Sequence, residues 1–234
     1  IIQALRWLGS RSVDETVMSR LRRHLAPHEL KQLARDARYA PAWIADIMRR
    51  IARAEEACGV DAFLQQPRAR QGLLCERAGD ELGLSPEAVE KDFWVCWVLR
   101  ELFRLDDVAS HLTFKGGTSL SKCWGFIERF SEDIDLVLGR DFLGFGGEAA
   151  PEAAPSRNER ARRVENVLAA CQRHVGETLL PTLRSRVRAQ LGEDRSRALV
   201  LDPDDQDQQA ILFEYEPLFS TYAYLRPVVK IELG

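Results

Sequence analysis

The sequence has no Cys-x-x-C pair. Its five cysteines (Cys58, Cys75, Cys96, Cys123 and Cys171) are odd in number and widely spaced, and its four histidines lie apart from them. That spacing points to neither a zinc framework nor a disulfide scaffold, and favours reduced thiols in a cytosolic compartment. No apolar run approaches the roughly 20 residues that a membrane span needs, and no signal peptide is visible. The formal net charge is only -3, so nothing pulls the whole chain toward nucleic acid and any basic surface must be local. What is left is the composition of a soluble globular protein, 45% hydrophobic and 29% charged,. With 234 residues the chain can bury a core and hold one large or two small domains. It begins at Ile1 without a methionine and stops at Gly234 directly after an apolar strand, as a fragment at one or both ends would.

The first quarter is helical in period. Val13, Val17, Leu21 and Leu25 form an i, i+4 stripe,. Pro27 and Pro41 stand where new helices start, the second with Trp43, Ile44, Ile47, Met48 and Ile51 on one side and Arg49, Arg50 and Arg53 on the other,. These short helices carry no catalytic constellation, and residues 1–58 read as an interaction module. Cys58-Gly59-Val60 breaks the pattern. Residues 64–82 read as one further helix. Ser85-Pro86-Glu87 then starts the next, with Ser85 as N-cap, Pro86 at the first helical position and Glu87 at the positive end,. Its apolar face includes Val89, Phe93, Trp94, Trp97, Leu99 and Phe103, so the tryptophans belong to the core. Glu90, Lys91 and Asp92 read as a surface charge cluster, with a catalytic role as the alternative,.

Short strands follow at residues 111–114, from Asp135 to Leu138, and at 198–201, 211–215 and 228–233. Residues 144–155, rich in Gly, Ala, Pro and Glu, read as a mobile loop,. Residues 157–191 read as a long helical region, interrupted at Pro181. It carries Arg157, Arg160, Arg162, Arg163, Arg173, Arg184, Arg186 and Arg188, either an RNA-facing surface or a solvated face,. The fold class is α+β, a mixed sheet flanked by helices with a helical N-terminal segment.

The chemistry concentrates between Phe114 and Leu138. In an extended strand Asp133 and Asp135 project from one face while Ile134 turns into the core,. Two carboxylates held in that way suit Mg²⁺ or Mn²⁺, which take oxygen ligands and sit about 3.5–4 Å apart in two-metal sites. Gly116 and Gly117 let backbone N–H groups approach phosphate oxygens with no Cβ in the way,. Thr118 or Ser119 then opens a helix whose positive end favours an anion, with Lys122 about a turn further on,. Glu232 alternates with Lys230 on the polar side of the last strand. It is the candidate third ligand, or else an ordinary half-exposed strand residue. The candidate catalytic residues are therefore Asp133, Asp135, Glu232 and Lys230, with the three carboxylates as metal ligands. Lys115, Gly116, Gly117, Thr118, Ser119 and Lys122 are the nucleotide-binding candidates.

This combination resembles the DNA polymerase β-type nucleotidyltransferase superfamily. More narrowly, Lys115-Gly116-Gly117-Thr118-Ser119-Leu120-Ser121-Lys122 with Arg129-Phe130-Ser131-Glu132-Asp133-Ile134-Asp135-Leu136 is similar to the AbiEii/AbiGii toxin family. Glu90-Lys91-Asp92-Phe93-Trp94-Val95 and the stretch from Tyr224 to Gly234 are similar to family segments as well, so the resemblance covers roughly residues 61–234. It implies a minimal nucleotidyltransferase sheet over residues 59–234, Mg²⁺ dependence, and transfer of a nucleotide from an NTP to an acceptor such as the 3′ end of tRNA. It also implies a type IV-style toxin–antitoxin setting with a cognate antitoxin. Family members continue past the Glu232 strand into a helical half with further lysine and aspartate motifs, so the domain reads as truncated at its C-terminus. Residues 25–44 are similar to the helical end of an AbiEi-type antitoxin. The alternatives are a catalytically incomplete nucleotide-binding module and a transferase that modifies protein hydroxyls.

Overall fold

The computed structural model describes residues 60–122, 133–193, 198–219 and 225–234. The expected N-terminal helices, the antitoxin-like segment and Arg129 to Glu132 lie outside the described residues.

The architecture is α+β. Four helices, α1 (Val60–Leu64), α2 (Arg68–Leu82), α3 (Pro86–Phe103) and α4 (Asp106–Ala109), precede β1 (Leu112–Lys115). After it come α5 (Gly116–Lys122), β2 (Ile134–Leu138), α6 (Arg157–His174) and α7 (Leu180–Leu191). The strands β3 (Leu199–Leu201), β4 (Ala210–Glu214) and β5 (Val228–Leu233) follow. The single helix expected over residues 64–82 is split by Pro67, whose fixed φ and missing N–H favour the turn between α1 and α2,.

The five strands form one mixed sheet in the order β1-β2-β5-β4-β3. Only the central β2–β5 pair is parallel, and β1–β2, β5–β4 and β4–β3 are antiparallel. Strict alternation sets its two faces. Ile134, Leu136, Val229, Ile231, Ile211 and Phe213 are fully buried, while Asp135, Lys230 and Glu232 occupy the intervening positions.

Helix α3 covers the apolar face. It starts as expected, the Ser85 hydroxyl accepting from the Ala88 N–H at 3.2 Å with Pro86 in the first turn. Trp97 stacks on Phe213 at 5.5 Å between ring centroids and Trp94 stacks on Tyr215 at 5.4 Å. Each such side chain contributes about 1.5–3 kcal/mol by burial. The expectation of core tryptophans holds. The expectation of a surface cluster at the start of α3 does not. Glu90 is 2% exposed and Lys91 4%. Both carboxylate oxygens of Glu90 accept from the Leu218 N–H, at 2.9 and 3.1 Å, and the Lys91 ammonium donates to the Arg226 carbonyl at 3.1 Å. These partners are more than a hundred residues away in sequence, and they make burial of the charges tolerable.

Helix α7 docks on α3 through a buried carboxylate. Glu101, 1% exposed, accepts from Arg100 Nε at 3.0 Å, Arg104 Nη1 at 3.3 Å, Arg186 Nε at 3.0 Å and Gln190 Nε2 at 2.7 Å. Between α6 and α7 the backbone widens into a π turn at Val175–Leu179, and Pro181 lies in the first turn of α7. A proline ring cannot fit a regular α-turn, and the wider turn accommodates it. The segment expected as a mobile loop carries short 3₁₀ turns at Gly147–Ala149 and Pro151–Ala153. Arg140 pairs with Glu152 across it at 2.7 Å, and Arg163 donates to the Glu148 and Ala150 carbonyls.

Candidate functional site

Strand register brings the charged candidates into one row. Asp135 faces Lys115 on β1 and Glu232 on β5. Glu232 in turn faces Ala210 on β4. The ladder extends one step further, because the Asp202 N–H donates to the Ala210 carbonyl at 2.9 Å. Paired residues present their side chains to the same face, so Lys115, Asp135, Glu232, Ala210 and Asp202 line the polar face from one edge of the sheet to the other.

The centre of the row is a pair of carboxylates. Asp135 and Glu232 are register partners on the parallel β2–β5 pair, which sets their carboxyl groups side by side. The Asp135 carboxyl is held above the ordinary carboxylate range, first by burial and then by the Glu232 charge, with Lys115 opposing and Asp133 adding to the rise,. Lys230, two residues before Glu232, places its ammonium 2.8 Å from Glu232 Oε1 and 3.3 Å from Asp202 Oδ2. Its pKa is raised, chiefly by the hydrogen bond to Glu232 and also by Asp202, against the opposing effect of burial. Two like charges side by side call for a proton or a cation, and Lys230 supplies one positive charge.

Gly116 sits directly against Asp135. A Cβ at residue 116 would stand 2.6 Å from Asp135 Cγ and 2.9 Å from Asp135 Cβ. The glycine has φ +75°, a left-handed conformation that costs other residues energy,. It was expected to clear space for phosphate, and in the structure it clears space for the carboxylate. The following helix begins at Gly116 itself, two residues earlier than expected. Thr118 is fully buried and Ser119 is 5% exposed. The Thr118 hydroxyl donates to the Asp133 carbonyl, which ties the turn to the head of β2. Lys115 ends β1 with its ammonium 3.4 Å from the position a Cβ on Gly234 would take. Gly117 is half-buried beside it. The side chain of Lys122 lies outside the described residues.

Asp133 is exposed and acts on Asp135 through its charge. Among the described residues, no three His, Cys, Asp or Glu side chains converge as a metal-holding group. The assembled core is the Asp135–Glu232 pair. Its donor chemistry fits a hard divalent cation, since the oxygens lie on adjacent strands and Lys115 and Lys230 only partly offset their mutual repulsion,. Asp202 was missed by sequence reasoning. It closes an unremarkable apolar strand, and only the β5-β4-β3 order brings it to Lys230.

Residues 97–234 match the family model for the nucleotidyl transferase AbiEii toxin of type IV toxin–antitoxin systems, and the chain belongs to that family. The match begins inside α3, so it leaves out the Glu90-Lys91-Asp92 segment. The chain matches no curated protein and no solved structure. Among the described residues no helix is long and apolar enough to cross a membrane.

Proposed function

We propose that the chain is a cytoplasmic, Mg²⁺-dependent nucleotidyltransferase toxin that moves a nucleotide from an NTP to an RNA acceptor, the 3′ end of tRNA, and is held in check by a cognate antitoxin. Membership of the AbiEii family supports the reaction class. The observation that carries the site is the register that sets Asp135 beside Glu232, with Asp135 seated against Gly116.

Asp135 and Glu232, with Asp133 beside them, are the residues that would hold divalent ions, or Mn²⁺ in place of Mg²⁺. Bound ions of this kind neutralise a triphosphate and acidify an attacking hydroxyl. The chain itself orients the reactants. Backbone N–H groups at Gly116 and Gly117 would meet the phosphates, with Ser119 in the same helix start,. Lys115 and Lys230 bring positive charge to either side of the carboxylate pair.

Most of the arginines of this helical region are engaged within the chain. Arg162 and Arg163 pair with Glu159, Arg184 donates to the Leu199 carbonyl, Arg186 binds Glu101 and Arg188 pairs with Glu193. Arg157, Arg160 and Arg173 are exposed on α6. Arg157 and Arg160, one turn apart at the start of α6, are the pair we propose to meet RNA phosphates,.

The test is the full chain with each α-labelled NTP, Mg²⁺, total tRNA and a protein fraction. Label on RNA that disappears with Asp133→Ala or Asp135→Ala supports the proposal. Label on protein moves the acceptor, and NTP binding without any labelled product overturns transfer in favour of a regulatory module.

A further inference from the structure

The polar row holds a third carboxylate that the reaction chemistry above does not use. Asp202 lies just past β3, its side chain 10% exposed, and its Oδ2 is 3.3 Å from the Lys230 ammonium. Its Oδ1 accepts from the Asp204 N–H at 3.0 Å, which fixes the carboxylate in place. Between Asp202 and Glu232 stands Ala210, 3% exposed and too small to separate them. The long Lys230 side chain reaches over that gap and contacts both acids. Asp205 lies nearby, but its Oδ2 is bonded to the N–H groups of Gln209 and Ala210 and its Oδ1 to that of Asp207. Asp202 is therefore the second direct anion on Lys230.

We infer that Asp202 is a positioning residue: it retains the Lys230 ammonium when Glu232 gives its oxygens to a divalent cation. The inference rests on the metal reading of Asp135 and Glu232. The ammonium and a metal ion compete for the same Glu232 carboxylate. With Asp202 present, Lys230 keeps an anionic partner after the ion arrives and stays beside the site. Without Asp202, the only direct carboxylate partner of Lys230 is the one the ion needs, and the exchange becomes less favourable. Asp202 and Glu232 hold the same ammonium, at 3.3 and 2.8 Å, so their carboxylates lie close enough for Asp202 also to act on the site directly through its charge. The part of its action that runs through Lys230 is the part that depends on Lys230 being present.

The experiment measures Mn²⁺ binding to the full chain at physiological salt, from the resonance of free Mn²⁺. The proteins compared are the unaltered chain, Asp202→Asn, Lys230→Met, the double variant and Glu232→Gln, each checked for folding by circular dichroism. Asn retains the acceptor for Asp204, and Asp202→Ser takes its place if the Asn variant does not fold. Asp202→Asn is expected to weaken Mn²⁺ binding by about two- to tenfold. Lys230→Met is expected to tighten it, and Asp202→Asn to weaken it clearly less in the Lys230→Met background than in the unaltered chain. Asp202→Glu, which restores the anion, should bind within about twofold of the unaltered chain. Equal weakening in both backgrounds, or no weakening in either, overturns the inference and leaves the metal reading standing. Mn²⁺ binding that ignores Glu232→Gln overturns the metal reading and the inference together.

Discussion

Gly116 and Asp135 are packed so closely that no other residue fits at position 116: a Cβ there would lie 2.6 Å from the Asp135 Cγ. Strand β2 delivers the carboxylate, and the turn after β1 receives it. Gly116→Ala therefore combines a steric overlap with a φ of +75°. The expected loss is about 2 kcal/mol of stability, read from urea denaturation. Nucleotide transfer should fall as well, because Asp135 must move. A Gly116→Ala protein with unchanged stability and activity would show that the close approach is dispensable.

Asp135→Asn separates stability from function. The native carboxyl is disfavoured as an anion by burial and by Glu232. Removing its charge should leave stability unchanged or raise it by up to about 1 kcal/mol. Transfer of nucleotide should fall by about 10²–10³-fold, as for loss of one stabilising group in a polar active site. Thermal melts alongside labelled-NTP assays check both halves. A variant that is markedly less stable would mean that Asp135 serves the fold.

Much of this site was legible in the sequence, because local alternation specifies it. The bounds of β5 follow from Val228, Lys230 and Glu232 alternating with Val229, Ile231 and Leu233. The Ser85-Pro86 start of α3 was legible for a similar reason, since its chemistry is complete within four residues. Three features were not. Glu232 was named as a ligand beside Asp135, but that it is the direct register partner of Asp135 follows only from the β2–β5 pairing, which joins segments almost a hundred residues apart. Asp202 needs the order of three strands. Glu90 and Lys91 look like surface charges until the Leu218 N–H and the Arg226 carbonyl arrive from the far end of the chain. Burial of charge is decided by distant partners, and spacing along the sequence does not reveal them.

The buried Glu90 predicts a pH dependence of stability. Burial is the first cause of its pKa rising from 4.5 to about 7, against the opposing bond from Leu218. Between those values the folded chain keeps a proton that the unfolded chain has released. Stability from this group is therefore fully present below about pH 4.5, declines as pH rises, and levels off above about 7,. The ionised side chain costs the fold about 3 kcal/mol at pH 8. Glu90→Gln keeps an acceptor for Leu218 and removes the titration. Urea midpoints should show the variant more stable at pH 8 and flatter between pH 5 and 7. Parallel curves for the two proteins would contradict the assignment.

The strongest stability prediction concerns Glu101, which sits among three guanidinium groups. The side chains of Arg100 and Glu101 are 0% and 1% exposed, and Arg104 and Arg186 close the cluster. Glu101→Gln keeps the shape, removes the negative charge and turns an amide N–H₂ toward cationic donors. A loss of about 3–5 kcal/mol is expected, the cost of leaving buried charge uncompensated. Asp61, at the rim of the same network with its side chain 54% exposed, provides the contrast. Asp61→Asn should cost less than about 1 kcal/mol. The damage from Glu101→Gln should also reach the candidate site by a definite route. Helix α7 holds the β3 edge through Arg184, whose Nε donates to the Leu199 carbonyl at 2.8 Å. Asp202 follows directly on β3. Loosening α7 should raise amide hydrogen exchange along β3 while the β2–β5 pair keeps its protection. Uniform loss of protection across the whole sheet would instead mean that the Glu101 cluster supports the entire core rather than the docking of α7.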